Sequence, residues 1–187
     1  MKQFVNSFWL IERFIRLHIR LCRALHFRGG LAGRAVAAVF DRLLLILYGI
    51  DLASASIDAP LLSISHPSGV LLGGNGVVSR GRVAIMSGVK LVARAPDDPE
   101  YLRLHAERRV FAFGDNVVIG ANSVVIGPVE ICDNVVISAM SLVNRPITEP
   151  GLYAGCPVRK VRAAVNDAWV AHLPPPVPEE DGPARNG

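Results

Sequence analysis

Residues 113–143 read FGDNVV-IGANSV-VIGPVE-ICDNVV-ISAMSL-V, and an aliphatic or aromatic residue opens every group of six. These positions are Phe113, Ile119, Val125, Ile131, Ile137 and Val143. A second series, four residues later in each group, contains only aliphatic or small residues: Val117, Ser123, Val129, Val135, Ser141 and Ile147. The 3.6-residue period of a helix does not generate this spacing. Each unit of six therefore predicts a short strand followed by a corner.

The residues at the predicted corners support this interpretation. They are Asn116, Asn122, Pro128, Asn134, Met140 and Pro146. Asn tolerates a left-handed backbone and Pro fixes a turn. The same pattern recurs upstream at Val77, Val83 and Val89, with the companion positions Ser79, Ile85 and Leu91. Three strand-corner units close a coil of about eighteen residues, and such coils stack about 4.8 Å apart. The sequence thus predicts a mainly β fold, a parallel β-helix over residues 50–161, with an aliphatic core.

The first forty-nine residues predict a separate helical segment of two helices. The first ends at Gly29 and Gly30, and the second runs over residues 31–48 before Gly49. Four arginines recur on one face of the first helix: Arg13, Arg16, Arg20 and Arg23. Two interpretations stay open. The helices pack as a cap on the rest of the protein or on a neighbouring subunit, or the basic first helix rests on an anionic membrane surface.

Two further segments depart from the repeat. The polar residues 92–110 interrupt it and predict a loop extruded from the coil. After the β-helix, residues 161–173 predict a short helix, and the Pro- and Glu-rich residues 174–187 predict a disordered tail. The expected organisation is therefore a helical segment (1–49), a β-helix (50–161) and a C-terminal segment (162–187).

Composition excludes several classes of protein. The 187 residues carry a net charge of +4, and the three cysteines are too widely spaced for a disulfide framework or a Cys-x-x-Cys metal site. We therefore expect a reducing, cytoplasmic location, with neither a signal peptide nor a membrane-spanning helix. Nucleic-acid binding is not expected, because the arginines lie on one helix and one loop without interleaved aromatic residues.

The β-helical part resembles the hexapeptide-repeat acyltransferases, within the serine acetyltransferase-like branch that includes capsule and exopolysaccharide acetyltransferases. The resemblance spans about residues 48–161 and rests on five segments: Gly49-Ile50-Asp51, Ile64-Ser65-His66-Pro67-Ser68-Gly69, Val83-Ala84-Ile85, residues 119–124 and Ala154-Gly155-Cys156-Pro157-Val158-Arg159. It implies a left-handed coil, acetyl-CoA as the acyl donor, and a homotrimer with active sites between adjacent subunits.

His66 is the candidate general base. It stands in a corner, and a neutral imidazole there can take the proton of a hydroxyl that attacks a thioester. The resemblance assigns that role to the histidine of the matching His-x-x-Gly segment. The alternative is a corner histidine that only hydrogen-bonds the backbone.

The sequence also departs from the serine acetyltransferase pattern. Ser65 stands where those enzymes have an Asp that contributes to substrate binding, and Val110 stands where they have a second active-site histidine. His105 could replace that histidine only if its loop folds inward; otherwise it is a solvated loop histidine. We therefore expect the acceptor to be a hydroxyl of a sugar or polysaccharide precursor, with serine O-acetyltransferase as the alternative.

Donor binding is expected at three positions. Ala121 and Ala139 lie eighteen residues apart, at equivalent places in adjacent coils, and match family contact positions, although a small residue at a tight corner also has a packing reason. Arg159 lies in a Gly-x-Pro-x-Arg segment, where the resemblance implies contact with a coenzyme A phosphate. No metal is expected, since the zinc enzymes of this fold need three histidines. The competing class is a catalytically degenerate β-helix that acts as a scaffold or binding partner.

Overall fold

The computed structural model describes residues 2–94 and 97–176, with side chains described from residue 10 onward. Helix α1 spans Lys2–Arg28 and α2 spans Gly30–Tyr48, in agreement with the predicted helical segment. Gly49 ends α2 in the left-handed conformation (φ 67°) and its N–H donates to the Leu45 carbonyl, which would otherwise be a free acceptor at the helix end. The two helices pack against each other and bury Ile15, Ile19 and Leu44 against the end of the β core.

The rest of the described chain forms a short 3-10 turn (Ser54–Ser56), one further helix and fifteen short strands. The helix is α3, Pro99–Ala106. The strands are β1 Ile50–Leu52, β2 Ile57–Asp58, β3 Leu62–Ile64, β4 Val70–Leu72, β5 Val77–Ser79, β6 Val83–Ile85, β7 Lys90–Ala93, β8 Phe111–Phe113, β9 Val117–Ile119, β10 Val124–Gly127, β11 Val129–Ile131, β12 Val135–Ile137, β13 Leu142–Val143, β14 Gly151–Ala154 and β15 Arg159–Arg162.

The strands form three sheets, which the chain visits in turn. Sheet A contains β1-β4-β7-β10-β13, sheet B contains β2-β5-β8-β11, and sheet C contains β3-β6-β9-β12-β14, with β15 added antiparallel at its end. All other pairs are parallel, and each coil is a triangle with one strand on each side. In the later coils the paired residues are eighteen apart, as in Val117 with Val135 and Val124 with Leu142. This register confirms the predicted three-sided coil.

The six-residue pattern builds the core. All twelve residues of the two series over 113–147 are buried, with relative exposures between 0% and 5%. The corner residues Asn116, Asn122, Asn134 and Met140 all have φ between 54° and 59°. Asn is the residue after Gly that best tolerates this conformation, because its short polar side chain can hydrogen-bond locally. The corner chemistry predicted from the sequence is therefore the one observed.

The insertion between β7 and β8 is more ordered than a plain loop. Val83 of β6 pairs with Val117 of β9, thirty-four residues later in the chain. A regular coil has eighteen residues between paired positions, so the insertion adds sixteen. Within it lies α3, whose first turn is capped by Asp98, with its carboxylate accepting from the Glu100 and Tyr101 N–H groups at 2.8 and 3.2 Å. An N-cap Asp followed by Pro at the first helical position is a typical helix start, so the sequence did contain this signal.

The predicted short helix over 161–173 is wrong. Residues up to Arg162 pair with β14 as β15, and the chain then forms turns in which Val170 and Leu173 pack on Ala84 and Val118, on the outer face of sheet C. Pairing with a sheet edge and burial of two apolar side chains outweigh the weak propensity of so short a helix. Residues 174–176 are exposed coil, and most of the predicted tail, 177–187, lies outside the described residues.

Candidate active site

His66 lies in an enlarged corner between β3 and β4, where the chain passes from sheet C to sheet A. Ile64 pairs with Ile85, and Leu72 pairs with Leu91. The step from Ile64 to Leu72 is eight residues, whereas the matching step from Ile85 to Leu91 in the next coil is six. The extra two residues push His66 out of the ladder, and the residue is exposed. Its imidazole is thus accessible from the outside of the coil.

The backbone of His66 is in an unusual conformation. Its φ is 56°, a left-handed value that is uncommon for a residue with a bulky side chain. Pro67 follows directly, and a proline restricts the conformation of the residue before it. Met140 and Arg108 adopt the same conformation, so it identifies His66 as a corner residue, and its catalytic role stays a prediction.

Beside His66, three distant segments meet at a carboxylate that the sequence analysis missed. Glu12 of α1 is 8% exposed and its Oε1 accepts a hydrogen bond from the Ser65 Oγ at 2.6 Å. Its Oε2 lies 3.0 Å from Nε2 of His172, in the C-terminal segment. A carboxylate of α1 therefore lies in direct contact with Ser65. Sequence spacing could not reveal this, because the partners are 53 and 160 residues apart.

His105 does not lie with His66 in the same chain. It belongs to α3, near the corner between sheets A and B, where the Asn75 Nδ2 donates to the His105 carbonyl at 2.9 Å. Its ring lies 5.3 Å from that of Tyr101. Since His66 is at the corner between sheets C and A, the loop does not fold inward to join it. A shared site requires His105 of an adjacent copy, and this role stays a prediction.

Ala121 and Ala139 stack on the same edge of the β-helix as His66. The Met140 N–H donates to the Ala121 carbonyl at 2.9 Å, which places the two corners directly above each other. From His66 the edge continues through Ser87, Ala121, Ala139 and Gly155, a distance of four strand spacings or about 19 Å. These small side chains leave an open track along the edge.

Arg159 stands at the far end of this edge. It is the first residue of β15 and pairs with Ala154. A pocket of about 520 Å³ at this end is lined by Arg159 together with Arg145 and Lys160, which the sequence analysis did not single out. The Lys160 Nζ donates to Glu149 at 2.8 Å, and this hydrogen bond raises the pKa of Lys160 and lowers the pKa of Glu149. Three cations and one acid make this end suited to phosphate groups.

A buried cluster of His18, Cys22 and Asp41 lies between the helices and the first coil. The His18 Nε2 is 3.1 Å from Asp41 and 3.6 Å from the Cys22 sulfur, and Asp41 also accepts from the N–H and Oγ of Ser54 at 2.8 and 2.6 Å. Burial, followed by the Asp41 charge, raises the pKa of Cys22 to about 11, so the group is a thiol. The polar atoms satisfy one another, and the cluster ties α1 and α2 to the Ser54–Ser56 turn.

The repeats match a known family. Residues 113–145 match the model described as bacterial transferase hexapeptide (six repeats). The coils over residues 113–145 are hexapeptide repeats. Over 138 residues, this hexapeptide-repeat chain is 30% identical to a serine acetyltransferase from Mycobacterium tuberculosis (strain ATCC 25618 / H37Rv). The match covers 74% of this chain and 55% of the relative, so the chain spans about half the length of the curated relative it matches.

Solved structures show the same fold for the hexapeptide-repeat chain. A serine acetyltransferase in complex with coenzyme A from Brucella abortus strain S19 superposes with a TM-score of 0.67 at 21% identity, covering 80% of this chain and 55% of that one. The serine acetyltransferase of Neisseria gonorrhoeae gives 0.66 at 23% identity, covering 81% and 55%. The predicted fold class, a left-handed parallel β-helix with an N-terminal helical segment, and the predicted family resemblance are both confirmed.

Proposed function

We propose that this protein is an acetyl-CoA-dependent O-acetyltransferase of the serine acetyltransferase type. The edge of the β-helix carries the proposal, with the exposed His66 near one end, the Gly155 corner four strand spacings or about 19 Å away, and the cationic pocket of Arg159 beyond that corner. An acyl-CoA donor is a long chain with a thioester at one end and phosphates towards the other. The open track of Ala121 and Ala139 between these two ends suits its extended arm.

In the proposed reaction, the neutral imidazole of His66 accepts the proton of the acceptor hydroxyl. The hydroxyl oxygen forms a bond to the thioester carbonyl carbon, and the carbon–sulfur bond then breaks. The sulfur leaves with the electron pair and takes the proton from the imidazolium, which restores His66. The products are an acetyl ester and the free thiol of coenzyme A.

The similarity to serine acetyltransferases makes L-serine the first candidate acceptor. Glu12 favours this candidate, because its carboxylate lies beside the corner and is the kind of group that binds an ammonium ion. A sugar hydroxyl is the second candidate. It is favoured by the neutral Ser65 and by the fact that both oxygens of Glu12 already have partners in Ser65 and His172.

The test is an acetyl-transfer assay on the full chain, with acetyl-CoA and either L-serine or a panel of monosaccharides. We expect His66→Asn to reduce the rate by about 10²–10⁴-fold, since Asn keeps the left-handed corner but cannot act as the base. The matched control is His26→Asn on α1, which should retain the wild-type rate. Equal rates for His66→Asn and wild type would refute the role of His66.

Donor binding is measured separately by calorimetry with acetyl-CoA. Arg159→Gln should weaken binding, whereas Arg109→Gln, an exposed arginine of the insertion, should not. If the wild-type protein neither binds acetyl-CoA at millimolar concentration nor acetylates any acceptor, the transferase proposal is wrong and the scaffold alternative is favoured.

A further inference from the structure

The helical hairpin exposes most of the large apolar side chains on the described surface. Of the seventeen exposed large hydrophobic residues, thirteen lie on α1, on α2 or between them. On α1 they form one stripe at spacings of three and four: Leu10, Phe14, Leu17, Leu21 and Leu25, each between 40% and 67% exposed. On α2 the corresponding stripe is Val36, Val39, Phe40, Leu43, Ile46 and Leu47.

The two stripes join into one surface, which we call the hairpin face. The rings of Phe14 and Phe40 lie 6.2 and 6.4 Å from that of His18, and Phe14 is 5.9 Å from Tyr48 of α2. The stripes thus adjoin where the helices pack together. A contiguous patch of exposed apolar side chains marks an interaction site in a folded protein.

The charges on the two helices are mostly positive. Residues 10–48 contain seven arginines and only two acids, Glu12 and Asp41. Both acids point inward, since Glu12 binds Ser65 and His172 while Asp41 binds His18 and Ser54. Four arginines, Arg13, Arg20, Arg28 and Arg34, are exposed and form no ion pair within the described part of the chain.

We propose that the hairpin face binds the surface of an anionic lipid bilayer. Apolar side chains that enter the acyl boundary, flanked by arginines at the level of acidic headgroups, are the two components of interfacial helix binding. The same face of a second copy would be a poor partner, because a face-to-face pairing would bring exposed arginines together without an acid between them. The described helices contain no stretch long and apolar enough to cross a membrane, so the proposed binding is peripheral.

The test is co-sedimentation of the 187-residue chain with vesicles of phosphatidylcholine, with and without phosphatidylglycerol. Binding is expected only to the vesicles with phosphatidylglycerol, and it should weaken as salt is added. Arg13→Gln with Arg20→Gln should weaken binding by roughly fivefold for each arginine removed. Leu17→Gln with Leu21→Gln should abolish it, and circular dichroism should confirm that both double variants remain folded, since all four positions are exposed.

Matched controls carry the same changes elsewhere on the surface. Leu102→Gln on α3 and Arg109→Gln in the insertion should bind like the wild type. No binding to anionic vesicles, or equal loss in the control variants, overturns the proposal. A loss of oligomeric mass in the Leu17→Gln, Leu21→Gln variant without lipid would show that a second copy covers the hairpin face, which would also overturn it. Acetyl transfer to a soluble acceptor is assayed independently, so the two proposals fail separately.

Discussion

Glu12 joins Ser65, the residue before His66, to His172 of the C-terminal segment. It is buried, and its two oxygens bind Ser65 and His172 at 2.6 and 3.0 Å. We expect Glu12→Ala to lower the free energy of unfolding by about 1–3 kcal/mol, because it leaves two polar groups without their partner. It should also reduce acetyl transfer, since Ser65 directly precedes His66.

Urea unfolding measures the first effect, with Glu107→Ala as the control. Glu107 is an exposed acid that pairs with Arg103 on α3, and its loss should change stability by no more than about 0.5 kcal/mol. Equal effects of the two substitutions would show that the Glu12 contacts do not stabilise the fold.

At the scale of elements, Arg82 and Asp115 join the corners of adjacent coils. The Arg82 Nε and Nη2 donate to the two Asp115 oxygens at 2.9 and 2.7 Å, and the Arg82 N–H adds a third bond at 2.7 Å. The side-chain hydrogen bond from Arg82 lowers the pKa of Asp115. A carboxyl whose pKa is lower in the folded state stabilises the protein above its unfolded pKa of about 3.9 and loses this contribution as the pH falls through the folded value.

We therefore expect Asp115→Asn to cost about 1–3 kcal/mol at pH 7. The difference from wild type should shrink as the pH falls below about 4. Urea unfolding at a series of pH values provides the measurement, with Asp97→Asn, an exposed acid in the insertion, as the control. A difference that stays constant down to pH 2 would contradict the assigned ion pair.

The C-terminal segment is a second element with a testable role. Leu173 is 5% exposed and covers Ala84 and Val118 on sheet C, whereas nearby Trp169 is 57% exposed. Leu173→Ala should destabilise the protein by about 2–4 kcal/mol, through lost burial and the cavity left behind. Trp169→Ala should have a much smaller effect in the same thermal unfolding measurement. The reverse order would mean that the segment does not pack on sheet C.

At the scale of the whole molecule, the expected homotrimer follows from the family resemblance and from the separate positions of His66 and His105. Sedimentation equilibrium should give three times the chain mass of 20.1 kDa. If the site lies between copies, His66→Asn and His105→Asn should each be inactive, and trimers refolded from their mixture should regain part of the activity. A mixture that stays inactive, or a monomeric mass, would contradict a site shared between copies.

The sequence by itself determined the β-helix, its buried series and its left-handed corners. Each repeat contacts mainly the next coil, eighteen residues away, so a short local period contains nearly all the information that the coil needs. The position of His66 in a corner followed from its direct neighbours Pro67, Ser68 and Gly69. The start of α3 also had a local signature, at Asp98 and Pro99.

Only the tertiary structure decided which distant groups meet. The contacts of Glu12 with Ser65 and His172, the cations around Arg159 and the cover that Leu173 forms on sheet C join segments with no sequence period between them. The hairpin face is a further case. An apolar stripe in a helix sequence does not say whether it is buried, because burial depends on which surfaces the rest of the chain leaves uncovered.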